Sequence, residues 1–251
     1  MTYKYRERKV KSVGDLIKAL EAQLASSPTV WFRGQADSDW DLTPSLARRP
    51  ELPAAEAALI KRFKQNALPH LAQRPQSEWE WLFLMQHYRL PTRLLDWTES
   101  PLVGLYFAVA DKSAAGKAAA LWCLDPIALN ASANIKFDYA IEIPGFGHDE
   151  ILDNYLPSKI AKEHTSMLGP IAGIAARNSP RIAAQMGAFT VTHREPTAIN
   201  AVGNKSHVWR LVIPPESKDP ILAQLASLRV SPLSLFPELD KVAEAAMEVV
   251  P

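Results

Sequence analysis

The chain has 251 residues, 47% hydrophobic and 22% charged, with a formal net charge of +1. That length and composition suit one globular domain with a sizeable core, and the near-zero charge, without any run of five like charges, gives no electrostatic sign of a nucleic-acid or anionic-membrane partner. Cys123 is the single cysteine, so an intrachain disulfide and a thiol-rich metal site are excluded.

The charged amino terminus is followed by no apolar signal core, and no stretch approaches ~18 apolar residues, so a cytoplasmic location without a membrane partner is expected. Ser12 then caps a predicted helix with Leu16, Leu20 and Leu24 on one stripe. Thr29 to Gly34 reads as a strand, rich in β-branched and aromatic residues, with Arg33 late on it. Turns at 37–39 and 43–45 lead to a helix from Ala54 to about His70, with Pro53 in its first turn. Ser77 and Glu80 form a capping-box pattern for the next helix, which Pro91 ends near Tyr88.

Residues 96–100 read as a loop before a helix that starts at Ser100 and Pro101. Further strands are predicted near 118–124, 187–192 and 207–213, and helices near 158–167, 217–228 and 238–249, with 130–157 irregular. Cys123 lies in the first of these strands as a small buried residue. With no repeat or low-complexity linker, residues 1–251 read as one α+β domain, core about 10–245. Its architecture is expected to be a central, largely antiparallel sheet flanked by helices.

Three segments place polar groups on apolar elements. Arg33, between Phe32 and Gly34, suits bidentate binding of a carboxylate or phosphate, or else pairs internally with Asp96 or Asp41. The run Gln86 to Thr98 is dense in hydrogen-bonding side chains. Within it His87 is either a general acid or base or a structural histidine, and Asp96 either serves the site or pairs locally with Arg93. Gln185 has an amide suited to a bound amide or ribose, or to closing a loop. Walker, GxGxxG, His-Glu-x-x-His and serine-elbow motifs are absent.

Taken in order, Trp31-Phe32-Arg33-Gly34-Gln35, Gln86-His87-Tyr88, Leu90 to Thr98, Ser100-Pro101-Leu102, Arg181 with Gln185 to Phe189, and Leu235 to Leu239 resemble the FRG-domain family. Two departures stand out: Arg89 occupies a position where the family usually has glycine, and Gly104 one where it usually has alanine. The family's layout is in turn similar to that of ADP-ribosyltransferases.

That second resemblance implies NAD as substrate and no metal. It gives catalytic roles to Arg33, His87, Asp96 and Gln185, and nucleotide contacts to Arg33, Gln35, Thr92, Arg93, Thr98 and Phe189. Gln185 stands where such enzymes carry an acid, and Asp96 is the candidate substitute. The implied activity is NAD-dependent ADP-ribosyl transfer to a protein or nucleic acid, in a toxin or phage-defence effector. The alternatives are a nucleotide- or nucleic-acid-binding module without catalysis and, more weakly, a nuclease holding Mg²⁺ on Asp37, Asp39, Asp96 and Glu99.

Overall fold

A computed structural model describes residues 3–24, 29–133, 142–163, 167–177 and 179–247. Seven strands form one sheet: β1 (Arg8–Lys9), β2 (Trp31–Gln35), β3 (Leu94–Thr98), β4 (Ala119–Leu124), β5 (Ile171–Gly173), β6 (Gly187–Val191) and β7 (Val208–Ile213). Their order is β1-β7-β4-β2-β3-β6-β5, antiparallel throughout except for the parallel β1–β7 pair. The helices are α1 (Val13–Leu24), α2 (Leu52–Ala67), α3 (Glu78–His87), α4 (Pro101–Val109), α5 (Pro126–Ala131), α6 (Glu150–Asp153), α7 (Pro157–Ile160), α8 (Pro180–Ala184), α9 (Lys218–Ser227), α10 (Pro232–Leu235) and α11 (Leu239–Met247). The fold is α+β, as the sequence indicates.

Strand alternation feeds apolar side chains to both faces of the sheet. Phe32, Leu121, Cys123 and Leu211 pack with Leu16 and Leu20 of α1, Leu105 of α4 and Ile221 of α9. Trp31, Trp97, Trp122 and Val208 form a second cluster. At the β3-β6-β5 end, Trp79, Leu82 and Met85 of α3 cover Leu94, Phe189 and Val191. Buried indoles need acceptors, and they find them: Trp79 donates to Asp153, Trp97 to Thr190, Trp122 to Gln35 and Trp209 to Gln23.

Helix ends follow the expected chemistry. The hydroxyls of Ser12, Ser77 and Ser100 accept from the backbone N–H of Asp15, Glu80 and Val103. Glu80 turns back to the N–H of Gln76, one residue earlier than a standard capping box requires. At the other end of α3, Leu90 N–H reaches Met85 O and Arg89 N–H reaches Gln86 O, with Arg89 at φ 61°. This is a Schellman closure with arginine in the left-handed position that glycine fills most easily, which accounts physically for the glycine usual there in the family.

Several expectations need correction. Residues 94–98 form strand β3 where a loop was expected from Asp96; Leu94 enters one core, Leu95 and Trp97 another, and this two-sided burial hides the alternation. The helix expected over 158–167 is the single turn α7, and the irregular stretch 130–157 contains α6 and the end of α5. Residues 134–141, 164–166 and 248–249, which fall within those expectations and the last expected helix, lie outside the described residues. The short strands β1 and β5 give too little pattern to read from sequence.

The sheet has a weak joint. β2 shares five register pairs with β4, and β3 shares five with β6, but β2 and β3 share the single pair Phe32–Thr98. Helix α4 spans this joint by lying directly on β2. A Cβ at Gly34 would press into the backbone of α4 at Gly104 O and Ala108 N, and would stand 2.7 Å from the carbonyl carbon of Phe107. A Cβ at Gly104 would meet Phe32 Cβ at 2.9 Å. Gly34→Ala is therefore expected to cost about 3 kcal/mol through overpacking against rigid backbone, read as a lowered denaturant midpoint at unchanged slope.

Candidate functional site

A cleft of about 980 Å³ opens at this joint. Its walls come from β2 and β3, the carboxyl end of α3, the residues flanking α8, and Phe236. Five arginines line it (Arg33, Arg48, Arg74, Arg89 and Arg181) against three acids, Glu80, Asp96 and Asp111. An electropositive cleft of this size suits a phosphorylated ligand.

Arg33 lies at the centre, with its side chain 17% exposed. Its Nη1 donates to the backbone carbonyl of Asp96 at 2.6 Å, spanning the gap where β2 and β3 stop pairing. The Asp96 carboxylate is 3.9 Å away, and among the described residues the buried Nε of Arg33 has no acceptor. Burial pulls the guanidinium pKa below its ordinary value, Asp96 acts against this, and neighbouring Arg48 adds to it. An arginine nonetheless keeps its charge at neutral pH.

Asp96 is the only outward residue of β3, with a side chain 54% exposed. Gln86 holds it: Nε2 donates to Asp96 Oδ2 at 2.9 Å while Oε1 accepts from the Thr92 hydroxyl. Thr92 itself is buried and does not line the cleft, so its part is to orient Gln86.

Arg93 also lies outside the cleft. It does not pair with Asp96; it binds Glu56 through Nε at 2.9 Å and through Nη2, and donates to the carbonyls of Thr192 and His193. A buried, fully engaged guanidinium of this kind orders the core side of β3. Asp41, the other partner considered for Arg33, instead accepts from Asn200.

The remaining sequence candidates do line the cleft, but several are occupied. Gln35 is buried, accepting from Trp122 and donating to Asp41 O. Thr98 donates to Gln185 O at 2.6 Å and accepts from Ser100 N–H. Gln185 Nε2 donates to Leu235 O at 3.0 Å. Phe189 is buried against Phe83, with ring centroids 4.8 Å apart. His87 is half-buried, and its pKa is lowered by burial first and Arg181 second, with Glu238 opposing.

Residues that the sequence did not single out complete the walls. Arg48 follows a 3-10 turn at Ser45–Ala47, and half-exposed Trp40 stands in a turn. Neither belongs to a periodic element, so only the fold brings them to Arg33. The carboxylates considered for Mg²⁺ are dispersed: Lys117 holds Asp37 and Arg177 holds Glu99. Among the described residues no group of three or more His, Cys, Asp or Glu is assembled to hold a metal ion.

Residues 28–117 match the family model of the FRG domain. The chain carries an FRG domain. Within it fall Arg33, Gln86, His87 and Asp96, whereas Arg181, Gln185, Phe189 and Phe236 of the same cleft lie beyond it. No curated protein and no solved structure matches the chain. Among the described residues no helix is long and apolar enough to cross a membrane.

Two outcomes follow. Arg93→Met leaves Glu56 buried without its partner and is expected to cost about 3–5 kcal/mol, measured by urea unfolding. His87, His193 and His207 all have lowered pKa values, with burial the largest cause in each. The unfolded chain therefore binds these protons first, and the melting temperature should fall as pH drops below the unfolded histidine value of about 6.5.

Proposed function

We propose that this cleft binds NAD and transfers its ADP-ribosyl group to a protein or nucleic-acid acceptor. The observation that carries the reading is the pairing, in one arginine-rich cleft, of a charged Arg33 having an unmet Nε with the half-exposed carboxylate of Asp96. Arg33 would hold the pyrophosphate, with Arg48 adding positive charge beside it. Phe189, beneath the cleft, offers an apolar surface to a ring.

Cleaving the bond between ribose and nicotinamide creates an oxocarbenium-like centre that a nearby carboxylate stabilises. Asp96 would supply that charge, because Gln185 is neutral and its amide is committed to Leu235. Gln86 would fix the Asp96 carboxylate, and Thr92 would fix Gln86. His87, with its lowered pKa, is predominantly neutral at pH 7 and able to accept a proton from an acceptor hydroxyl.

The commitment of Gln185 to Leu235 favours a second reading, nucleotide binding without turnover. Incubation with labelled NAD and cell lysate separates the two. Transfer or nicotinamide release by the wild type is expected to drop at least ~100-fold in Arg33→Ala and Asp96→Asn. Absence of both products from the wild type would overturn the enzymatic reading, and saturable NAD binding in that case would establish the second.

A further inference from the structure

Behind Arg181 and Phe236 lies a carboxylate that nothing above uses. Both oxygens of Glu238 are buried, and among the described residues neither has a hydrogen-bond partner. The nearest cation, Arg181 Nη1, is 3.6 Å from Oε1, beyond hydrogen-bond range. Arg181 is held instead over the ring of Phe236, 4.9 Å from guanidinium carbon to centroid. The backbone of Glu238 is fixed, its carbonyl accepting from Lys241 and Val242 N–H at the start of α11. Its charge is felt at His87, which lines the cleft together with Arg181 and Phe236.

A buried carboxylate with two empty acceptors is costly unless something donates to it. Two donors on neighbouring atoms match two carboxylate oxygens, which points to a guanidinium or a vicinal diol. The five arginines around the cleft oppose a cationic ligand, leaving the neutral diol.

Resting on the nucleotide reading, we infer that Glu238 forms a second subsite of the cleft, accepting hydrogen bonds from the paired hydroxyls of a ribose whose phosphates Arg33 holds. Arg181 covers this subsite in the free protein. Its loose contact with Glu238 lets a bound phosphate draw it aside, uncovering the carboxylate as the sugar arrives.

Calorimetric titration of the full chain with ADP-ribose and with inorganic pyrophosphate tests the assignment. Arg33→Ala should weaken both ligands. Glu238→Ala and the shape-conserving Glu238→Gln should weaken ADP-ribose relative to pyrophosphate by about tenfold, the loss of one or two charge-assisted hydrogen bonds. If Glu238 acts only by its charge or by packing, both ligands shift alike, the affinity ratio stays at its wild-type value, and the subsite is overturned. Wild-type protein that binds neither ligand would instead remove the nucleotide reading, and the subsite with it.

Discussion

The contact of helix α4 with strand β2 at Gly34 is the constraint on which the site depends. Backbone meets backbone there with no room for a side chain, so the helix is set by the strand and not by adjustable packing. The same contact explains each letter of Phe32-Arg33-Gly34. Phe32 enters the core under Gly104, Gly34 admits α4, and Arg33 is left to face the cleft. Because Ser100 caps α4 and Thr98 receives Ser100 N–H, fixing the helix also fixes the end of β3 and its link to Gln185.

Polar residues near the cleft divide into those consumed by the fold and those left open. Gln35, Thr92, Arg93 and Thr98 have their hydrogen-bonding groups met by neighbours and serve to hold strands and turns in place. Arg33 Nε and the Glu238 oxygens are buried and unmet, and Asp96 remains half-exposed. Unmet buried polar atoms are rare in folded proteins, and here they gather around one cleft.

Much of this was legible in the sequence because it is local. Ser77, Ser100, Pro91 and Pro101 mark helix ends through nearest-neighbour chemistry, and the alternation on β2 and β7 reports burial directly. The strand β3 was hidden by its own usefulness: Leu94, Leu95 and Trp97 are buried on both faces, while Asp96 and the preceding arginine suggest a loop. The partner of Arg93 was equally out of reach, since Glu56 lies 37 residues away on a helix with no reason in sequence to approach it. Glu238 illustrates the same limit, because an orphaned carboxylate is defined by what fails to surround it.

The unevenly paired sheet also separates the recognisable segment from the folding unit. Residues 28–117 contain β2 and β3, yet these two strands meet at one register pair, and each takes its full ladder from β4 or β6, which lie outside the segment. Excised at those limits, the segment would present two bare strand edges, the kind of surface that recruits other chains. The most recognisable third of the sequence thus holds the chemistry but cannot shelter its own backbone, and any transplant of the motif must carry both flanking strands with it.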